Sequence, residues 1–187
     1  MGYVAGFDIG GTNARLRVFD EEYRVVHEAR AHTRGESAPE LIASKMAAVL
    51  RDAPPVVSVG VGIAGLLSAD SRVVTNAPNL GWRDVPFASL LEAALPMTRI
   101  ALANDLNAML WGESVAGAVR GASDVLAVYV GTGVGGALVC NGRLIVGGGG
   151  KAGEVGHSKV VVGGRPCGCG GFGCVEAYAG GVQAAPR

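Results

Sequence analysis

The hexapeptide Asp8-Ile9-Gly10-Gly11-Thr12-Asn13 lies between an apolar run, Tyr3 to Ile9, and a second run, Arg15 to Phe19, in which charged and apolar residues alternate. This pattern predicts a buried strand, a tight turn and a second strand, and hence an N-terminal β-hairpin. Glycines in such a turn expose backbone N–H groups, Thr12 and Asn13 add polar contacts, and Asp8 can face a metal ion. The turn therefore suits the phosphates of a Mg²⁺-bound nucleotide. The alternative is an ordinary hairpin turn in which Asp8 only caps backbone groups.

A second glycine-rich corner, Val130-Gly131-Thr132-Gly133-Val134-Gly135-Gly136, repeats the order of strand, turn and strand. Two such turns can hold a polyphosphate from both sides, which favours the phosphate interpretation of Gly10, Gly11, Gly131, Thr132 and Gly133. The corner is not a Walker A loop, because no Gly-Lys-Ser/Thr follows it. It also does not open a helix, as a dinucleotide-binding fingerprint does.

Hydrophobic periodicity predicts the remaining elements of an α/β fold with a mixed sheet. Strands are predicted over 25–32, 56–63 and 99–103, and helices over 39–50, 86–95 and 105–116, with a last helix near Cys174. The first helix is expected to bury Leu41, Ile42, Met46, Val49 and Leu50, and Asp84 is a candidate cap for the second. A second hairpin, from Asp124 to Ile145, should turn at Asn141-Gly142. The domain boundary is expected near Ala103 to Asp105, which gives a first domain over 1–104 and a second over 105–187.

Asn104-Asp105 follows a short apolar strand and begins a helix. The local sequence alone favours a helix cap for Asp105. A kinase that acts on an alcohol needs a base within hydrogen-bond reach of the hydroxyl group, and a rigidly held aspartate can provide it. Only the context of the other motifs can decide between these two interpretations.

One imidazole and three thiols lie close together in the sequence, since His157 is followed by Cys167, Cys169 and Cys174. Three cysteines and one histidine are a standard tetrahedral zinc set with no open coordination position, so a structural Zn²⁺ is predicted. Without a metal, three thiols would be prone to oxidation in a glycine-rich loop. Glu154, Glu176 and Asn79 are each more often surface or capping residues, but as a set they suit the hydroxyl groups of a sugar.

The composition argues against nucleic-acid and membrane partners. Sixteen Lys and Arg residues balance sixteen Asp and Glu residues among 187 residues. A neutral chain lacks the long-range attraction to phosphate backbones or anionic lipids. The N-terminal residues lack the pattern of a signal peptide, so a cytoplasmic location is expected. Whether the chain assembles into a homo-oligomer stays open.

The motifs, taken in order, resemble those of the ROK family of bacterial sugar kinases and repressors. The matching segments are Asp8-Ile-Gly-Gly-Thr12, Ala77-Pro-Asn-Leu80, Asn104-Asp105, Gly131-Thr-Gly133, Gly153-Glu-Val-Gly-His157 and Cys167-Gly-Cys-Gly-Gly-Phe-Gly-Cys174-Val-Glu176. The resemblance implies an actin/hexokinase-like (ribonuclease H-like) fold of two α/β domains around a cleft. It also implies that Asp105 is the catalytic base towards a sugar hydroxyl, typically O6. By the same resemblance, Asn79, Asn104, Glu154, His157 and Glu176 line the sugar pocket, and His157, Cys167, Cys169 and Cys174 hold zinc.

The resemblance implies ATP-dependent phosphorylation of a hexose, with glucose foremost and N-acetylglucosamine, N-acetylmannosamine and fructose as other substrates. Family members continue well beyond the position of Arg187, so the second domain is expected to be incomplete and to lack the adenosine-binding part. A sugar-responsive repressor is one alternative, disfavoured because only seven residues precede Asp8 and a helix-turn-helix segment would have to precede it. A sugar-binding module without catalysis is the other.

Overall fold

A computed structural model describes residues 2–35 and 38–181 of the chain. The strands are β1 (Tyr3–Ile9), β2 (Asn13–Phe19), β3 (Val25–His32), β4 (Val56–Ile63), β5 (Leu66–Leu67), β6 (Val74–Ala77), β7 (Trp82–Val85), β8 (Arg99–Asn104), β9 (Val125–Val130), β10 (Val134–Cys140) and β11 (Arg143–Ile145). The α-helices are α1 (Pro39–Leu50), α2 (Phe87–Ala94), α3 (Asp105–Ala116) and α4 (Glu176–Ala179), and short 3₁₀ turns span Pro78–Leu80, Gly148–Gly150 and Val155–His157. Over the described ranges, every helix is too short or too polar to cross a bilayer.

The chain forms two compact units, one over Met1–Ala108 and one that begins at Met109. The sheet of the first unit has the strand order β3-β2-β1-β4-β8. Its strands β1, β4 and β8 run parallel to one another. On one side of them, β2 pairs antiparallel with β1, and β3 pairs antiparallel with β2. The prediction of an α/β fold with a mixed sheet is therefore confirmed.

One face of this sheet forms the core of the first unit. Alternate residues of β1, namely Ala5, Phe7 and Ile9, are buried in the same cluster as side chains of α1 and α2. Ile42 and Met46 of α1 are fully buried, as predicted. The prediction for Leu41 was wrong, because 44% of this residue is exposed. Leu41 flanks the buried stripe of α1, and periodicity alone places the edge of a stripe only to within one residue.

A small three-stranded sheet, β5-β6-β7, was missed by the sequence analysis. Its strands are two to four residues long, and runs of that length carry too little alternation to be recognised. The predicted role of Asp84 was also wrong. Asp84 lies inside β7, and Pro86 occupies the N-cap position of α2 without a side-chain capping bond.

The second unit contains the antiparallel sheet β11-β10-β9. The predicted turn at Asn141-Gly142 is confirmed, because it joins β10 to β11 and both residues have positive φ values of 50° and 68°. The glycine corner at 131–133 joins β9 to β10. A glycine-rich loop then leads from β11 to α4, which begins at Glu176.

The register of the parallel strands determines where polar residues meet in the first unit. Ile9 lies beside Ile63, and Ile63 lies beside Asn104, so β1, β4 and β8 end at the same level. Ligands of α/β proteins bind at the carboxyl ends of such strands. The segments that follow these ends carry the first glycine turn, Gly65 and Asp105.

Gly11 offers a test of this packing, since Gly10 provides a matched control. A Cβ atom at Gly11 would lie 2.7 Å from the carbonyl oxygen of Asn79, whereas one at Gly10 would lie 3.8 Å from its nearest neighbour, the carbonyl oxygen of Asn13. We expect Gly11→Ala to lower the free energy of unfolding by about 1–3 kcal/mol, because backbone must move. Gly10→Ala should stay within about 0.5 kcal/mol of the wild type. Urea denaturation measures both, and equal losses would contradict the packing described.

Candidate functional site

The first glycine turn is fixed from inside by Thr33. The Thr33 hydroxyl donates to the carbonyl oxygen of Gly10 at 2.8 Å, and its N–H donates to that of Thr12 at 3.0 Å. Thr33 is 1% exposed. The sequence analysis did not single it out, because a threonine directly after a strand looks like an ordinary loop residue. Within the described ranges, the N–H groups of Gly11 and Thr12 make no hydrogen bond to the protein. Free N–H groups on a rigid turn are what an anion-binding loop requires.

Asp8 and Asp105 approach one another across β4. Asp8 pairs with Gly62 and Gly62 pairs with Ala103, so the three strands bring these positions into one row. A Cβ atom on Gly62 would lie 3.5 Å from the Cα atom of Asp105, which shows how closely α3 begins against the sheet. Burial raises the pKa of the Asp105 carboxyl, the hydrogen bond from the Leu106 N–H opposes this, and the negative charge of Asp8 adds to the rise. A carboxylate with a raised pKa is a stronger base.

Asn104, rather than Asp105, makes the capping bond of α3. Its Oδ1 accepts a hydrogen bond from the N–H of Asn107 at 3.1 Å, which is the usual contact between an N-cap side chain and the third helical residue. Its Nδ2 donates to the carbonyl oxygen of Gly65 at 3.2 Å. Asp105 Oδ1 accepts a hydrogen bond from the adjacent Leu106 N–H, at 2.9 Å. Asn104 thus fixes the backbone on which Asp105 is presented.

Asn107 is a residue that sequence reasoning missed. It is 6% exposed, and among the described residues no group donates to its side-chain Oδ1. A buried amide oxygen without a donor costs free energy. Its spacing of three from Asn104 on a helix was the signal available in the sequence.

Asn79 lies in the turn between β6 and β7 of the small sheet, close to the first glycine turn. Ala77 and Leu80 are buried, whereas Asn79 is exposed. The Asn79 backbone contacts Gly11, and a Cβ atom on Gly65 would lie 2.6 Å from the carbonyl oxygen of Asn76. The first unit therefore gathers one set of predicted site residues at one edge of its sheet: Asp8, Gly10, Gly11, Thr12, Asn13, Asn79, Asn104 and Asp105.

The second glycine turn is held by α4 and the residues that follow it. The N–H of Gly131 donates to the carbonyl oxygen of Gly133 at 2.9 Å, and the N–H of Gly181 donates to that of Gly131 at 2.7 Å. Glu176 Oε2 accepts a hydrogen bond from the N–H of Val134 at 3.0 Å. The structure thus places Gly131, Thr132 and Gly133 next to Glu176, which the sequence analysis had assigned only to the sugar.

His157, Cys167, Cys169 and Cys174 form a group that could hold a metal ion, with one ligand atom from each residue and all four within 4.8 Å of one another. Cys167 Sγ lies 3.6 Å from His157 Nδ1, and Cys169 Sγ lies 3.7 Å from Cys174 Sγ. Tetrahedral coordination with metal–sulfur bonds of about 2.3 Å and a metal–nitrogen bond of about 2.0 Å gives separations of about 3.8 Å and 3.5 Å. The four residues therefore fit a tetrahedral ion, with Nδ1 as the histidine ligand.

Two charged residues surround this cluster. Glu154 Oε2 lies 3.7 Å from His157 Nε2, the ring nitrogen opposite the ligand atom. Lys159, which the sequence analysis did not single out, donates from Nζ to Cys174 Sγ at 2.9 Å. This hydrogen bond raises the pKa of the Lys159 ammonium group. Its positive charge would offset the excess negative charge of three thiolates around a divalent ion.

The raised pKa of Asp105 predicts a pH-dependent gain in stability on its replacement. The folded protein binds the Asp105 proton more tightly than the unfolded chain does, so stability falls as pH rises above the ordinary value of 3.8. We expect Asp105→Asn, which keeps the acceptor for Leu106, to be more stable than the wild type at pH 7. The difference should vanish towards pH 3.

Thermal or urea unfolding across this pH range measures the effect. Asp52→Asn is the control, since Asp52 is an exposed carboxylate in the same unit, and its change should stay within about 0.5 kcal/mol. A wild type that is more stable than Asp105→Asn at pH 7 would contradict the burial and charge repulsion described.

Comparison with known proteins gives one consistent result. The ROK family matches residues 4–185. Glucokinase of Streptomyces coelicolor is 37% identical over 184 residues, which are 97% of this chain and 57% of the relative. N-acetylmannosamine kinase of Salmonella arizonae is 32% identical over 178 residues, with 93% and 60% covered. The crystal structure of a ROK family glucokinase from Streptomyces griseus in complex with glucose and AMPPNP is 36% identical, with a TM-score of 0.82.

That solved structure is matched over 97% of this chain and 58% of its own length. The chain thus spans less than two thirds of the length of each of these three proteins. Within this span the family match covers both units and every motif described above. The chain belongs to the ROK family.

Proposed function

We propose that this protein phosphorylates a hexose at O6 with ATP as the phosphoryl donor, and that glucose is its substrate. The observation that carries the proposal is the position of the Asp105 carboxyl at the carboxyl ends of the parallel strands, where the first glycine turn also lies. Burial and the charge of Asp8 raise the pKa of this carboxyl. The names of the relatives support a sugar kinase, and the glucose and AMPPNP in the Streptomyces griseus structure support this pair of ligands.

In the proposed reaction, Asp105 accepts the proton of the sugar hydroxyl as its oxygen attacks the γ-phosphorus of ATP. The bond from the γ-phosphorus to the β–γ bridging oxygen breaks, and ADP leaves with that electron pair. Gly11 and Thr12 offer N–H groups to the phosphates, and the second turn at Gly131 to Gly133 offers a further phosphate-binding segment. Asp8 would help to hold the Mg²⁺ that accompanies ATP, and this ion would supply positive charge to the phosphates when bound.

The sugar contacts are assigned to Asn79, Asn104, Glu154, His157 and Glu176. Asn104 and Glu176 already have partners inside the protein. Each still has hydrogen-bonding capacity to offer, since an amide carries two donors and each carboxylate oxygen has two lone pairs. N-acetylmannosamine is the second substrate to test, because a relative carries that name.

We further propose that the metal of the His157, Cys167, Cys169 and Cys174 site is Zn²⁺ with a structural role. Thiolate and imidazole ligands at tetrahedral separations favour zinc over the oxygen-binding Mg²⁺ and Ca²⁺. All four ligands come from the protein, so no position is left open for substrate or water. Glu154, near the second ring nitrogen of His157, is suited to orient that ring.

Replacement of Asp105 tests the catalytic role. We expect Asp105→Asn to lower kcat/KM for glucose by about 10²–10⁴-fold, the usual contribution of a general base. Asp52→Asn, its matched control, should retain the wild-type value. ADP release is measured over glucose, N-acetylglucosamine, N-acetylmannosamine and fructose, and glucose binding is measured separately by calorimetry.

Two results would contradict the proposal. Normal turnover by Asp105→Asn would exclude this residue as the base. Sugar binding by the wild type without nucleotide binding or turnover would instead identify a sugar-binding module.

Zinc retention tests the metal proposal. The purified chain should contain close to one zinc per molecule, and Lys159→Ala should release it to a chelator about tenfold faster, because a charge-assisted bond to a ligand sulfur is lost. Lys151→Ala is the control, since Lys151 is exposed in the same unit, and its release rate should match the wild type. Release is followed with a chromogenic chelator. Folded, metal-free protein after purification in zinc would contradict the assignment.

A further inference from the structure

The two ends of the metal-binding segment both contact Val134, the first residue after the second glycine turn. At one end, Gly156 precedes the ligand His157, and the carbonyl oxygen of Val134 fills the place where a Cβ atom of Gly156 would lie. At the other end, Glu176 follows the ligand Cys174 by two residues and accepts the N–H of Val134 at 3.0 Å. Both backbone groups of Val134 are thus engaged by neighbours of metal ligands.

The Glu176 carboxylate also lies next to the cluster. Its Oε1 lies 3.7 Å from Cys167 Sγ, while its Oε2 binds the N–H of Val134. Gly133 packs against the same Oε2, so a side chain at position 133 would displace the Glu176 carboxylate.

The start of α4 is fixed in turn by Cys174. This residue is fully buried, and its carbonyl oxygen accepts the N–H of Ala177 at 3.1 Å. The N–H of Val175 donates to the carbonyl oxygen of Ser158, next to His157, at 3.0 Å. The position of Glu176 therefore depends on the segments that the metal would join.

We propose that the metal centre positions the second glycine turn, and that Glu176 is the positioning residue through which it does so. A metal ion that holds His157 and Cys174 together fixes Gly156 on one side of Val134 and Glu176 on the other. Without it, the loop from Gly147 to α4 is closed by isolated β-bridges, such as that between Lys159 and Cys174, and by single backbone hydrogen bonds, such as that from Val160 to Gly173. The N–H of Val134, directly after the turn from Gly131 to Gly133, then loses the Glu176 carboxylate that accepts its hydrogen bond.

The consequence for phosphate binding rests on the proposed function, in which this turn contacts the phosphates of ATP. Metal removal should then weaken nucleotide binding, although no metal ligand touches the nucleotide. The positioning itself is measured without any nucleotide. A failure of the kinase proposal is therefore distinguishable from a failure of this one.

Amide hydrogen exchange by NMR on the full chain tests the positioning. In the wild type, metal removal should speed the exchange of the Val134 amide by about tenfold or more, as expected for a lost hydrogen bond to a charged group. The amide of Val139, farther along β10, is the internal reference for general loosening of the sheet and should change by less than about threefold.

Variants of Glu176 separate the carboxylate from the rest of the loop. In Glu176→Ala the Val134 amide should exchange fast with or without metal, so that metal removal adds little. Glu176→Gln keeps an acceptor oxygen and should preserve slow exchange in the metal-loaded protein. Glu154→Ala, the matched control, removes a carboxylate near His157 without touching Val134, and metal removal should still speed exchange in it.

The proposal is overturned if the wild-type Val134 amide exchanges equally slowly with and without metal, a result that needs no variant. Slow exchange in metal-loaded Glu176→Ala would overturn the role of Glu176. Equal acceleration of Val134 and Val139 on metal removal would mean that the metal stabilises the whole unit, and would likewise overturn a specific positioning of the turn.

Discussion

Close approach of backbone segments at glycines is the constraint on which both candidate sites depend. In the first unit, the glycine turn can meet the Asn79 segment only because Gly11 has no Cβ atom, and Gly65 allows the same approach to Asn76. In the second unit, Gly156 lies against the carbonyl oxygen of Val134. Some of the 31 glycines in the chain thus serve the close packing of loop against loop. Such glycines cost conformational entropy on folding, which favours their use where no other residue fits.

The first unit gives up stability at Asp105, the proposed base. Burial and the charge of Asp8 both disfavour the ionised form of this carboxyl, and the hydrogen bond from the Leu106 N–H opposes them without cancelling the rise in its pKa. The side chain of Asn104 caps α3, so the Asp105 carboxyl is not needed as the capping group. A carboxyl group with a raised pKa at the carboxyl end of a strand is more typical of a functional site than of a structural ion pair.

The second unit is stabilised in a different way, because its long loop offers little apolar surface to bury. Val162 is fully exposed and Phe172 is 59% exposed. A metal ion bound by His157 and the three cysteines would close this loop and offset the entropy of ordering it. Lys159 balances the charge of the ligand sulfurs, and Glu176 connects the same loop to the glycine turn. Metal binding, loop order and the geometry of the turn are therefore linked in the proposed scheme.

The sequence by itself determined the long elements, the two glycine turns, the cysteine and histidine cluster and the family, because each is encoded in local periodicity or in residue types at short spacing. The order of motifs was enough to place Asp8 and Asp105 in one proposed site. The tertiary structure alone decided that Asn104 caps α3 and contacts Gly65, and that Thr33 holds the first glycine turn. It also decided that Glu176 contacts the residue after the second glycine turn and that Lys159 contacts the cysteine cluster. These contacts join residues far apart in the chain, or depend on strands too short to show alternation. The local sequence does not indicate which distant backbone group a polar side chain will contact.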